Sequence, residues 1–380
     1  MIFLFFLKTR KSFVKIVRYL TITLIILVGV DVITLITKSI KPLYQNEAYS
    51  GFADCPACDK PNIYLIITDE YAGRTELQDL FAYDNSAFEN ELKRRGFFVV
   101  QNPMSNYNYT PYSMASIFTM NYLKGISDKS SDINNRNIIY TVINKNELTD
   151  ILKRLGYDFV NLSLFDFAGL PSRLNNNEFY STREKIISSQ TLTGRIKKDL
   201  WYHLITTFKF GWAQKRLNQK LVNNIHYQFN ATLKAGGEMQ TAQPRFIYTH
   251  FIMPHYPYLF DKNGKELSFE ESVQGWRKDL YIGYLQYCNK LCLSFVDSIL
   301  KKEKTNPIIV LMSDHGFTKY GAAINPSYNF KNMINIFFPD KNYIKLPDTI
   351  SAINVFRIIL NERFKQQLPL LKDSTVFLQE

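Results

Sequence analysis

The sequence predicts an α/β protein: a mostly parallel central sheet covered by helices on both faces and preceded by one transmembrane helix. Three observations predict it. Short apolar runs recur after residue 60 and alternate with segments of helical periodicity, the pattern of strands buried between helix layers. A 19-residue apolar run, 19–37, lies near the N-terminus with basic residues on both sides, the pattern of a bilayer span. The chain is 46% hydrophobic and 21% charged over 380 residues, enough for a sizeable core. That excludes disordered, collagen-like and mini-protein classes. Four cysteines are too few for a disulfide scaffold.

The net charge of +12 suggests a membrane surface, nucleic acid or an anionic substrate. Its distribution narrows the choice. Residues 1–42 hold seven basic side chains (Lys8, Arg10, Lys11, Lys15, Arg18, Lys38 and Lys41) against one acid, Asp31. Half of the excess lies there. Five of the seven precede the apolar run and two follow it. The positive-inside rule then puts the N-terminus in the cytoplasm and residues 43–380 outside. Asp31 opposes a span by up to ~3 kcal/mol near its centre, which the Leu, Ile and Val residues offset. The run is long for a signal-peptide core and no small-x-small cleavage site follows it directly, so the anchor is expected to remain uncleaved. The remainder, 39 basic against 33 acidic residues, is a mild excess. No Lys/Arg cluster with interleaved aromatics falls in a recognisable nucleic-acid-binding motif, so no nucleic-acid partner is expected.

The organisation follows: a basic cytoplasmic N-terminus over 1–18, the anchor over 19–37, a linker over 38–60, and one α/β domain over 61–380. The linker carries Cys55-Pro-Ala-Cys58 with no partner CxxC and no helix directly after it. A structural or incidental disulfide fits this better than a redox or zinc site. Asn62–Thr68 is a short buried strand, and 84–95 a helix stopping at Gly96. Phe97–Val100 is a second strand. A helix over 145–155 leads into a strand at Tyr157–Leu162. Residues 165–244 lack strand signals and read as a helical insertion near the site. Arg245–Phe251 is a strand, and 269–302 has long helical periodicity. Cys288 and Cys292 share one face of it and are expected to be buried. Pro307–Met312 is the cleanest buried strand, Met333–Phe338 another, and 351–361 a late helix.

Ligands gather at the carboxyl ends of strands in such sheets. Asp69-Glu70 follow the first strand directly, and two carboxylates there suit a hard or borderline cation; a helix-capping acid is the plainer alternative. Asp314-His315-Gly316 follow the strand PIIVLMS, pairing an oxygen and a nitrogen ligand with a glycine that lets the loop turn. The chain has five histidines, so one beside an Asp at a strand end is informative. Asn106–Ser116 contains Thr110-Pro111, read as an N-cap and first helical residue. The positive helix end there favours an anion and can lower a hydroxyl's pKa. Plain capping would need no chemistry. His250 and His255 close the strand Thr249-His-Phe-Ile-Met-Pro254-His255-Tyr-Pro257. His255 is expected to act on substrate and His250 to be more structural. His203 and His226 carry no signal.

Taken in order, PNIYLIITDE, TPYSMASIF, HFIMPHYP and MSDHG resemble the alkaline phosphatase/sulfatase superfamily. The branch they resemble is that of the membrane-anchored phosphoethanolamine and phosphoglycerol (lipoteichoic acid synthase-like) transferases. The resemblance covers about residues 61–375 and implies a three-layer alkaline-phosphatase-like sandwich. It implies Asp69, Glu70, Asp314, His315 and the Thr110 hydroxyl as ligands of one divalent metal ion. Zinc or manganese is the expected ion, with magnesium or calcium as alternatives. It implies Thr110 as nucleophile, His255 as the second catalytic group, and His250, His255, Asn106 and Ser113 on the substrate side. The implied activity transfers a phosphoryl-linked head group through a phospho-threonine onto an envelope glycan or lipid. The implied setting is a bacterial inner or cytoplasmic membrane with the catalytic domain outside. A hydrolase of phosphate, phosphonate or sulfate esters is the alternative, and a silent binding protein of the same fold the third reading. The C/S-x-P-x-R motif that makes formylglycine is absent, which argues against classical sulfate-ester hydrolysis.

Overall fold

The structure is a computed structural model. It describes residues 14–39, 52–53, 55–167, 170–172, 174, 196, 199–201, 203–205, 207–237, 243–303, 306–319 and 324–379. The chain divides into two compact units, Met1–Gln45 and Asn46–Glu380.

The described part of the first unit is helix α1, Val14–Ser39. The expected membrane anchor is corrected here: among the described residues no helix is both long and apolar enough to cross a membrane. Asp31 divides the apolar run of α1, with the twelve uncharged residues Tyr19–Val30 before it, and a carboxylate near the centre of a span opposes insertion by up to ~3 kcal/mol. The expectations that rested on a span fall with it. These are a membrane-anchored protein, a cytoplasmic N-terminus, and a catalytic domain outside an inner or cytoplasmic membrane. Residues 1–13, and 40–51 of the expected linker, lie outside the described residues.

The second unit runs β1 (Ile63–Asp69), α2 (Arg74–Phe81), α3 (Ser86–Arg94), β2 (Phe98–Val99), α4 (Thr110–Thr119), α5 (Ile133–Asn144), α6 (Glu147–Arg154) and β3 (Asp158–Leu162). It continues with α7 (Gly211–Gly237), β4 (Arg245–Pro254), α8 (Phe269–Ser272), α9 (Lys278–Lys302), β5 (Ile308–Ser313), β6 (Ile334–Phe337) and α10 (Val355–Phe364). The six strands form one sheet in the order β2-β6-β5-β1-β4-β3. The four strands β5, β1, β4 and β3 are parallel. β6 runs antiparallel to β5, and β2 antiparallel to β6. The sheet is thus mostly parallel, with a mixed edge.

Every residue of β1 and of β5 is buried, which is why both read as continuous apolar runs. Tyr64, Ile66, Ile247, Phe251, Ile309 and Leu311 point to one face and join a core with α7 and α9. Alternate residues serve the other face. There Phe118 of α4 meets Tyr248 edge-on at 5.1 Å, and Phe356 of α10 meets Phe246 at 6.1 Å. Helices therefore cover both faces, giving three layers. Cys288 and Cys292 are free and buried on α9, and Cys55 is bonded to Cys58. Much of the expected insertion over 165–244 lies outside the described residues; its largest described part is α7.

Asn146 caps α6 by accepting from the Thr149 amide at 2.9 Å. Glu147, the first residue of α6, has a buried Oε2 with no hydrogen-bond partner. Burial pushes its carboxyl up to about 7; the chain amide it accepts from and Arg357 oppose the rise, and Asp150 adds to it. A raised folded value means that the folded state holds the proton more tightly than the unfolded one. That contribution is complete below about 4.5 and is lost as pH rises through about 7. Glu147→Gln is therefore expected to raise the urea midpoint at about pH 8, by the equivalent of roughly 1–3 kcal/mol, and to change it little at about pH 5. Equal shifts at the two pH values would contradict the assignment.

Candidate metal centre

Strand register brings the polar groups together. Thr68 of β1 lies opposite Ser313 of β5, so the next residues, Asp69 and Asp314, leave the sheet side by side. On the other flank the register shifts after Thr68 and sets Asp69 opposite Pro254, one residue before His255. Parallel neighbours end at the same edge of a sheet, where sites form.

Asp69, Asp314 and His315 are all buried, and each offers a ligand atom within 4.8 Å of the other two. Asp314 is held from the backbone: its Oδ1 accepts from the Glu70 amide at 3.0 Å and the His315 amide at 2.8 Å. Its Oδ2 is buried with no hydrogen-bond partner and lies 3.3 Å from His315 Nε2. Burial pushes the Asp314 carboxyl up. The His315 and His250 rings, the Thr110 hydroxyl and the Glu70 amide outweigh it and hold the carboxyl below its ordinary value. His315 Nδ1 lies 2.7 Å from the Gly316 carbonyl. A carbonyl only accepts, so Nδ1 carries the proton and Nε2 presents a lone pair to the site. Two fully buried carboxylates beside that lone pair suit a divalent cation, since burying such charges without a counter-charge costs several kcal/mol. Asp69, Asp314 and His315 are the residues that would hold it.

Thr110 sits at this cluster. Its Oγ1 lies 3.3 Å from Asp69 Oδ1 and 3.2 Å from His315 Nε2. The expected N-cap role is not what the structure shows. Tyr109 occupies the cap position in an extended conformation, and no side chain caps α4. Thr110 is the first helical residue, and Pro111 follows within the first turn, where its missing N–H leaves no unmet bond. The hydroxyl is directed at the carboxylate and the imidazole instead of the helix end.

Glu70 is not in the cluster of Asp69, Asp314 and His315. Its backbone is left-handed, φ +58°, which turns the side chain away from Asp69. Its Oε1 accepts from the Thr318 amide at 3.0 Å and from the Thr318 hydroxyl. Its Oε2 has no hydrogen-bond partner and lies 3.7 Å from His255 Nε2. His255 is partly exposed and bonds the Tyr256 carbonyl through Nδ1. His250 is fully buried, with Nδ1 2.9 Å from the Tyr248 hydroxyl and Nε2 unpartnered. Burial pushes it down to about 4; Asp314 opposes this, and His315 and His255 add to it. It is a neutral ring within electrostatic reach of the site.

Two residues expected on the substrate side are bonded within the fold. The Asn106 amide donates to the Ser374 carbonyl and the Tyr122 hydroxyl, and its carbonyl accepts from the Ile353 amide. Ser113 donates to the Asp314 carbonyl at 2.5 Å, tying α4 to the loop that carries Asp314 and His315. Sequence reasoning missed Thr318, whose only signal is its place two residues after Gly316.

Gly316 is required by space. A Cβ there would lie 2.6 Å from the carbonyl oxygens of Lys331 and Tyr328 and 2.8 Å from Glu76 Oε2. Two of these are backbone atoms and cannot swing aside. Gly316→Ala is expected to displace Asp314 and His315 and to weaken zinc binding about 10–100-fold in competition with a chromophoric chelator. An unchanged affinity would remove the loop from the centre.

No protein-family model matches the sequence, and no curated protein matches it. Solved structures do. The integral membrane lipooligosaccharide phosphoethanolamine transferase A of Neisseria meningitidis superposes with a TM-score of 0.50 at 13% identity. The match covers 89% of this chain and 61% of that longer one. The C-terminal periplasmic domain of EptC from Escherichia coli gives 0.48 at 14% identity, over 82% of this chain and 84% of that one. The corresponding domain of phosphoethanolamine transferase EptC from Campylobacter jejuni gives 0.46 at 14%, over 83% and 92%. The likeness is one of fold: this chain and the Neisseria meningitidis transferase share it.

Proposed function

We propose that this protein is a metal-dependent transferase acting on phosphodiesters. It moves a phosphoryl-linked head group, of phosphoethanolamine or phosphoglycerol type, through a covalent phospho-threonine at Thr110 onto a glycan or lipid hydroxyl. One observation carries the proposal: the Thr110 hydroxyl sits 3.3 Å from Asp69 and 3.2 Å from His315, within the one candidate metal centre among the described residues. The fold shared with a phosphoethanolamine transferase supports the choice of substrate class.

A zinc or manganese ion held by Asp69, Asp314 and His315 would supply Lewis-acid polarisation and favour the ionised form of a nearby hydroxyl. The residues supply the rest. Thr110 Oγ1 attacks phosphorus as its proton passes to the Asp69 carboxylate that it faces. The Oγ1–P bond forms and the P–O bond to the departing alcohol breaks. His255 gives its proton to the departing oxygen. Glu70 Oε2 lies 3.7 Å from the His255 Nε2 that would carry it. In the second half an acceptor hydroxyl gives its proton to His255 as it attacks the phospho-threonine; the O–P bond to the acceptor forms, the Oγ1–P bond breaks, and Oγ1 takes back the proton held by Asp69. Water in place of that hydroxyl would make the same site a hydrolase.

Mass spectrometry of the peptide 105–123 after incubation with phosphatidylethanolamine or phosphatidylglycerol is the test. A mass added on Thr110 is expected, identifying both nucleophile and donated group. Thr110→Ala is expected to lower turnover about a thousandfold or more while metal content, measured by elemental analysis, persists. Turnover retained in that variant would end the nucleophile assignment. Added acceptor raising product yield distinguishes transfer from hydrolysis.

A further inference from the structure

The charge excess of the second unit and several of its exposed apolar side chains fall in one stretch of sequence. Residues 195–220 hold seven basic side chains (Arg195, Lys197, Lys198, Lys209, Lys215, Arg216 and Lys220) against one acid, Asp199. Outside this segment and residues 1–42 the chain balances, with 32 basic and 32 acidic residues. The same 26 residues carry large apolar side chains in solvent: Ile196, Leu200, Phe208, Phe210 and Trp212 are 44–59% exposed. The rings form a continuous array. Phe208 stacks on Phe210 at 5.9 Å, Phe210 on Trp212 at 6.5 Å, and Trp201 meets Trp212 edge-on at 5.8 Å. Lys209, Lys215 and Arg216 are exposed among them.

The array is mounted on a fixed base. Ala213 and Gln214 are buried, and the Gln214 amide donates to the Ile205 carbonyl at 3.1 Å. About two turns further, Leu221 and Val222 of α7 enter the core. The outer face of the first turns of α7 is thus held outward by an inner face that cannot turn over without losing core contacts.

We propose that this face docks on the head-group layer of an anionic lipid bilayer. Aromatic rings with a polar edge settle at the membrane–water boundary, and neighbouring Lys and Arg side chains pair with anionic head groups. The positive charge of the segment complements such a surface. A soluble polyanion would use the basic residues and the rings but leave Ile196 and Leu200 in water, whereas a bilayer interface receives both. The contact lies on the surface and crosses nothing. It stands independently of the reaction proposed for Thr110.

Tryptophan locates the contact, because residues 1–42 contain none and two of the three in the chain, Trp201 and Trp212, lie in this patch. Full-length protein carrying Trp276→Phe is mixed with vesicles of phosphatidylcholine alone, or of phosphatidylcholine with phosphatidylglycerol, each containing acyl-brominated lipid. Quenching of emission on the anionic vesicles and little on the neutral ones is expected. Reversing Lys209, Lys215 and Arg216 to Glu is expected to lower the affinity about a hundredfold, with circular dichroism reporting the fold. Should that variant fail to fold, the quenching result decides alone. Sedimentation with vesicles without quenching would place the contact elsewhere and overturn the proposal, as would no binding. Tight binding to RNA or heparin that survives Trp212→Ala, with no vesicle quenching, would reassign the face to a polyanion and overturn it too.

Discussion

The parallel register of β4, β1 and β5 is the constraint on which the site depends. A parallel sheet delivers the carboxyl ends of adjacent strands to one edge. Here that edge receives Asp69 from the middle strand, Asp314 from one neighbour and His255 from the other. A shift of one residue in either pairing would send alternate side chains to the opposite face. The complete burial of β1 and β5 guards against this, because each slipped position would exchange the apolar contacts of one helix layer for those of the other. The core therefore fixes the chemistry indirectly: it sets the register, and the register sets which polar side chains meet.

Burial then decides what the assembled groups can do. Asp314 is anchored through Oδ1 to two backbone amides, while Oδ2 is left facing inward. A carboxylate fixed on one oxygen and open on the other is oriented before any ligand arrives, which is how supporting bonds set the geometry of a binding group. The Gly316 carbonyl does the same for His315 by holding the proton on Nδ1. Ser113 ties α4 to the loop that carries Asp314 and His315, so Thr110 and His315 are positioned by a shared restraint. Several polar residues near the centre thus act through the groups that they hold in place.

The parts legible in the sequence were those decided by local pattern. NIYLIIT and PIIVLM read as buried strands because a strand covered on both faces has no polar side to alternate with. Asp69, Thr110, Asp314 and His315 read as candidates because each follows a strand or opens a helix. Other features depend on tertiary geometry. α2 and α5 escaped notice because their apolar residues are interrupted by Asp, Asn and Arg. The strand expected over 97–100 shrank to Phe98–Val99, since it pairs only with the antiparallel β6 at the edge of the sheet. Glu70 resembled a second metal ligand, but its direction depends on a φ of +58°, which no side-chain pattern announces. Asn106 and Ser113 carry chemistry suited to substrate, yet their bonds lead into the C-terminal segment and the ligand loop. The apolar run near the N-terminus was legible as a helix, and it lies within α1.

The charge shows how composition and structure constrain one another. A net +12 spread evenly would describe a generally cationic protein attracting any anion at long range. This chain is neutral over most of its length and carries its excess in two segments. Attraction from exposed charges decays within about 8 Å at physiological ionic strength, so concentrated charge acts on what lies directly against it. In residues 195–220 what lies among the charges is a row of exposed rings. Aromatic side chains held in water forgo the stabilisation that burial would give them. Their placement beside lysine and arginine, before and at the start of a helix whose other face enters the core, ties the local charge to a contact that also removes apolar surface from water. Five of the large apolar side chains exposed on the second unit lie in the same 26 residues that carry its charge excess, and the proposed contact rests on the two features together.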